Sequence, residues 1–191
     1  GKNMGFHIKY GDTDSLYISP PCSAFYSCDE EYASSSIDKE EWYRKMVQIT
    51  MIEIANLQKK VNAHLENDNK TKYLKMAYEE VLYPVLFAGK KKYGGIPHIS
   101  EIIFSNSRDR LFIKGLDVVK SNQTLFSINT MYETLQEILD IHNTKPLLTI
   151  VHETIDRAKL KITKEPIESF VLVKKWKPPL KKCQHNQCKN N

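Results

Sequence analysis

Only four cysteines occur in these 191 residues, and no apolar run approaches the length needed to span a membrane. A secretory leader is missing as well. Together these absences argue against a disulfide-stapled secreted module and a helical membrane protein, and they predict free thiols in a reducing, intracellular setting. Acidic residues run out early: none follows Glu168, whereas Lys174, Lys175, Lys177, Lys181, Lys182 and Lys189 do. A basic end of this kind suits a polyanionic partner, and equally a solvated lysine-rich tail. No internal repeat is visible. What is present is 41% hydrophobic and 27% charged, with a formal net charge of +5, enough for one domain with a real core or two small ones.

Two β-prone runs, "FHIKY" and "SLYIS", flank the turn-forming Gly11-Asp12-Thr13-Asp14, which predicts a hairpin with both aspartates at its tip. The polar stretch from Cys22 to Glu41 reads as a loop ending in a helix start, with Ser35 and Asp38 at capping-box spacing. From Lys39 to about Leu65, apolar residues recur every three or four positions, the pattern of one long amphipathic helix that lies on a sheet. After a break at Glu66–Lys72, the run from Leu74 to Ile96 predicts a strand, a kink at Pro84 and a second strand. The meander should continue through Ser100–Leu116, with Ser105–Arg110 as its polar turn. Beyond it lie two helical patterns, separated near Asn143–Pro146, and a strand-like Glu168–Trp176. The fold class expected is therefore α+β, with a boundary near Lys120 between a mixed part (1–120) and a mainly helical part (121–191).

Asp12 and Asp14 stand at i and i+2 on a tight turn, which places hard oxygen donors close together without burying them, a good arrangement for Mg²⁺. The same D-x-D spacing occurs in phosphatases of the haloacid dehalogenase type. Those require a buried apolar strand before the first aspartate, and Lys9 and Gly11 interrupt any such strand here. A plain Asx-rich turn without metal is the remaining alternative.

Four motifs taken together say more. "YGDTDS" resembles the third palm motif of family B DNA polymerases, and "EEVLYPVLFAGKKKYGG" is similar to the later palm stretch that ends in a basic K-K-R-Y-type motif. "FIKGLDVVK" resembles the segment leading into the thumb, and "FVLVKKWKPP" the thumb element ending in K-P-P. The four stand in the family's order and cover nearly the whole chain.

The resemblance implies a role for each matching residue. Asp14 would ligate catalytic Mg²⁺, with Asp12 a second catalytic carboxylate that shapes the turn and its field; Gly11 and Thr13 would form the turn. Lys90, Lys91, Lys92 and Tyr93 would face the primer duplex, the cations on phosphate and the ring along the minor groove. Lys92 replaces the family's usual arginine, keeping the charge and losing the guanidinium fork. Lys114, Gly115, Asp117 and Lys120 would make the hinge into the thumb, with Lys114 and Lys120 near phosphates. Trp176 is expected to pack within the thumb.

By the same resemblance the chain is the later half of a polymerase palm (1–120) and an incomplete thumb (121–191). Its partners would be primer–template DNA, dNTP, the upstream palm, fingers and exonuclease domain, and a processivity factor, with no membrane. The setting implied is the host nucleus or a cytoplasmic site of viral replication. No second metal-binding aspartate motif and no dNTP-binding lysine cluster is present. A non-catalytic DNA-binding relic, or a split subunit inactive alone, therefore stays open. The terminal Cys183, His185 and Cys188 have a spacing that occurs in zinc sites, but the fourth ligand is not evident, and a polar loop with free thiols is the reading preferred.

Overall fold

The computed structural model describes residues 5–172, and within them the chain forms two small antiparallel sheets and four helices. The expected α+β class is what is observed. Strand β1 (His7–Asp12) pairs with β2 (Ser15–Ser19) through Asp12↔Ser15 and His7↔Ser19. The turn is thus Thr13–Asp14 alone. Gly11, expected to help form it, lies inside β1 opposite Leu16, because the ladder continues one residue past it. Thr13 carries the left-handed conformation of the tip (φ 52°).

The stretch from Cys22 to Ala33, expected as loop, is a 3-10 turn (Cys22–Phe25) followed by helix α1 (Tyr26–Ala33). Distant side chains stabilise it. The Trp42 indole donates to Asp29 at 2.9 Å and stacks on Tyr32 at 4.4 Å, Lys45 pairs with Glu31, and Cys28 is buried. None of these contacts has a local signature. Helix α2 (Lys39–Asn69) runs one turn beyond the expected end, and its cap is Asp38, which accepts from the Glu41 amide at 2.8 Å. Ser35, the expected cap, lies outside the helix with φ 57°.

Val47, Ile54 and Leu57 form the buried stripe of α2. Ile54 and Leu57 join Phe6, Ile18, Val61, Met76 and Tyr78 in a core that holds the base of the β1–β2 hairpin on the helix. Each such side chain, fully buried, contributes about 1.5–3 kcal/mol. Met76 is stitched to α2 as if to a strand: its amide donates to Asn62 at 2.7 Å, and its carbonyl accepts from Asn62 and Gln58 at 3.1 Å each.

The second sheet has the order β3 (Val81–Gly89), β4 (Lys92–His98), β5 (Phe112–Lys114), all antiparallel. Pro84 does not divide two strands as expected. It lies inside β3 at a register shift between Leu82 and Val85, where the ladder does not need its missing N–H. The segment between β4 and β5 is irregular, with no strand at Glu101–Phe104, and closes through the bond from the Arg110 amide to the Ser107 carbonyl.

A 3-10 turn (Asp117–Val119), with Val118 buried, packs against helix α3 (Leu125–Ile138). Helix α4 (Leu147–Ile162) lies on α3, joined by Lys161–Glu133 and Arg157–Glu137 ion pairs over buried Leu135, Leu139 and Ile150. Glu168–Phe170 belongs to a 3-10 turn (Ile167–Phe170), so the strand expected from Glu168 does not begin there. Trp176, the K-P-P element, the lysine-rich end and Cys183, His185 and Cys188 lie outside the described residues. Cys22 and Cys28 are free thiols, as expected, and no helix of the described residues is long and apolar enough to cross a membrane.

His98, the last residue of β4, is fully buried. Its Nε2–H donates to the Tyr83 carbonyl at 2.7 Å, its ring meets Phe104 edge-on, and Nδ1 has no partner among the described residues. Burial, reinforced by the Arg44 guanidinium, holds its pKa below the ordinary value of 6.5. The unfolded chain therefore binds the proton first as pH falls. The contribution of neutral His98 is complete above about pH 6.5 and is lost progressively below it. Urea midpoints should consequently drop between pH 7.5 and pH 5.5, and a His98→Gln variant should flatten that dependence; an equal slope in both proteins would assign the titration to another group.

Candidate functional site

The tip of the β1–β2 hairpin meets the β3–β4 turn. Lys90 and Lys91 are the two turn residues, since Gly89 pairs with Lys92, and Lys91 takes a left-handed conformation (φ 60°). Its ammonium stands 3.3 Å from Asp12 Oδ1, and its backbone amide donates to the Tyr10 hydroxyl at 2.8 Å. Asp12 is 30% and Lys91 63% exposed, so the pair's energy is modest, about 0–1 kcal/mol. Position is the more important result: a carboxylate and a cation from hairpins far apart in sequence face each other at one edge of the molecule.

Beneath them four aromatic rings, Tyr10, Tyr17, Phe87 and Tyr93, pack with centroids 5.2–6.2 Å apart. The Tyr17 hydroxyl donates to that of Tyr93 at 3.3 Å, and burial followed by this bond pushes the Tyr17 pKa well above the ordinary phenol value. Tyr93 is only 5% exposed. Its ring, expected along the primer, packs under the hairpin, because its alternation on β4 points it toward β1 and β2. Tyr10 and Tyr17 were not singled out from sequence; each is an unremarkable strand tyrosine until the two turns meet.

Gly115 (φ 67°) closes the site from behind. A Cβ there would overlap the Lys91 carbonyl oxygen and lie 2.9 Å from its carbon. Lys114 pairs with Tyr93 across the β4–β5 ladder, its ammonium 5.3 Å from the Phe112 ring centre. Lys92 opens β4 and is exposed; Lys120 is paired to Asp117, whose carboxyl this bond holds below the usual carboxylate range.

Asp14 is exposed, and no ion pair within the described residues engages its carboxylate. It lines an open groove of about 1230 Å³ between the hairpin, α2 and β3, together with Lys9, Lys90, Glu79 and Glu80. Burial and the neighbouring Glu79 raise the pKa of Glu80. Asp12 and Asp14 are hard oxygen donors of the type Mg²⁺ takes, but Asp12 is engaged with Lys91, and no three His, Cys, Asp or Glu side chains converge on a metal position among the described residues. Asp14 is thus the one of the two whose carboxylate is not engaged by a cation within the described residues.

The profile of DNA polymerase family B matches residues 44–190. This chain belongs to that family. As a family B chain it is 37% identical over 183 residues to the "DNA polymerase beta" of African swine fever virus (isolate Tick/Malawi/Lil 20-1/1983), covering 92% of this chain and 15% of the viral protein. It is 24% identical over 173 residues to the "DNA polymerase delta catalytic subunit" of Mesocricetus auratus, covering 86% of this chain and 13% of that subunit. This family B chain therefore spans about one-seventh of the viral relative's length. The matched interval takes in the Lys90–Lys92 turn and the Gly115 joint, and begins after the Asp12–Asp14 hairpin.

Proposed function

We propose that this chain is part of a DNA-directed DNA polymerase, working at an intracellular site of DNA replication. In this reading 1–120 is the later half of the palm and 121–191 an incomplete thumb. The observation that carries it is the junction of Asp12 with Lys91, which sets the acidic hairpin and the basic turn side by side. Phosphate could approach such an edge on its cationic side, and the carboxylates on the other would be the groups to hold a metal.

Asp14 would hold Mg²⁺, with the remaining ligands supplied by the longer polymerase. Bound there, the ion would lower the pKa of a primer 3′-hydroxyl and neutralise charge on the transferring phosphate. The chain's own residues orient. Lys91 and the Thr13 hydroxyl, 3.2 Å from Asp12 Oδ1, fix the Asp12 carboxylate, and Tyr10 fixes the Lys91 backbone. Lys90, Lys92, Lys114 and Lys120 supply cations for the primer–template backbone, Gly115 lets the chain turn toward the thumb, and dNTP enters with the upstream parts. The incomplete carboxylate set also favours a second reading, a subunit or relic that binds DNA and has no turnover alone.

Binding of primer–template duplex to the 191-residue chain, titrated across salt, tests the DNA contact. Lys90→Ala/Lys91→Ala/Lys92→Ala should reduce the magnitude of the slope of log K against log salt by about 2, roughly 0.9 for each of the two phosphates that Lys90 and Lys92 would neutralise. An unchanged slope would show these lysines to be solvated only.

A further inference from the structure

The irregular segment between β4 and β5 lies along one face of α3. Asn106 Nδ2 donates to the Gln136 carbonyl at 2.8 Å, and Gln136 Nε2 returns a bond to the Asn106 carbonyl at 3.0 Å. Two residues on, Arg108 donates to Asn129 Oδ1 at 3.1 Å and stacks its guanidinium 4.0 Å from the Tyr132 ring centre. Asn129, Tyr132 and Gln136 are spaced three and four apart, a single helical face. Gln136 belongs to the last turn of α3, where carbonyls have no partner within the helix, so the Asn106 amide also acts as a cap.

The other end of the segment is fastened to α2. Arg44 donates to the Ile102 carbonyl at 2.9 Å and sits over the Phe104 ring, which in turn packs on His98. After Arg110 the chain enters β5, whose Lys114 pairs with Tyr93 and whose following Gly115 abuts Lys91.

We propose that residues 102–110 are a strap that sets the pose of α3 relative to the β3–β4–β5 sheet, with Asn106, Arg108 and Gln136 as positioning residues for the duplex grip of the polymerase. The duplex role rests on the polymerase reading above; the fastening of α3 does not. Polar fastening suits this role because its bonds are directional, and one angle satisfies both amides and the guanidinium together, whereas an apolar contact would tolerate sliding.

The near-isosteric Asn106→Asp/Gln136→Glu double variant removes both donors and sets carboxylate oxygens against carbonyls. In the 191-residue chain, amide hydrogen exchange over 126–139 should accelerate about tenfold or more, from two lost hydrogen bonds, with α2 and β4 unchanged. In the longer polymerase carrying this segment, product length per binding event should fall several-fold, while single-nucleotide incorporation at saturating DNA stays within about twofold. Unchanged exchange in α3 overturns the strap. Faster exchange with unchanged product length overturns the positioning role. Should the double variant lose its fold, Arg108→Lys, which keeps the charge and loses the planar stack on Tyr132, is read by the same two measurements. Absence of extension by the parent polymerase would sink the polymerase reading, leaving the strap to be judged on exchange alone.

Discussion

Asp14→Asn, made in a complete polymerase carrying this segment, should remove nearly all primer extension and leave primer–template affinity within about twofold. The substitution keeps the size of the side chain and deletes its charge at the exposed point of the hairpin, where no ion pair within the described residues compensates it. A charge acting on the transition state affects turnover far more than ground-state binding. Asp12→Asn should cost less, about tenfold to a hundredfold, or roughly 1.4–2.7 kcal/mol of barrier. Asp12 already faces Lys91, so its loss frees a cation and loosens the joint between the turns. Steady-state extension at saturating DNA, with Mg²⁺ and again with Mn²⁺, measures both. A larger effect from Asp12→Asn would reverse the two roles; two silent variants would leave the hairpin a turn and nothing more.

Gly115→Ala carries the largest expected loss of stability. The new methyl would have to occupy the position of the Lys91 carbonyl oxygen, and its residue would be forced into a left-handed conformation (φ 67°). Backbone cannot rotate out of the way as a lysine tip could. We expect a destabilisation of about 3 kcal/mol or more, and a melting temperature lower by roughly 6–12 °C for a chain of this size. Gly115→Asn separates the causes. Asparagine tolerates left-handed torsions better than alanine but brings the same Cβ, so equal losses identify the overlap and a milder loss identifies the torsion. If neither variant melts lower, the approach of Gly115 to Lys91 is looser than described.

The elements that could be read directly were those whose burial pattern repeats within themselves. Helices α2, α3 and α4 announce their buried faces at three- and four-residue intervals, and the hairpin announces its turn through Asp12, Thr13 and Asp14. Helix α1 was missed because Trp42, Tyr32 and Lys45 hold it from outside, and the division at Pro84 was misplaced because a register shift absorbs the missing donor. At the candidate site, motif residues Asp12, Lys91 and Gly115 were named individually, but not that they touch. The roles of Tyr10, Tyr17 and Tyr93 follow from packing between two sheets, for which alternation along a single strand carries no signal.

The bond from the Lys91 amide to Tyr10 spans 81 positions. On a ribosome the hairpin of β1 and β2 emerges well before its aromatic support, Phe87 and Tyr93, and the glycine behind Lys91. A two-stranded hairpin is marginal in water on its own, and α2 gives this one support only at its base, through Phe6 and Ile18. The geometry around Asp12 is consequently a late product of synthesis, and a nascent chain stalled before Gly115 would carry the acidic turn without the joint that orients it.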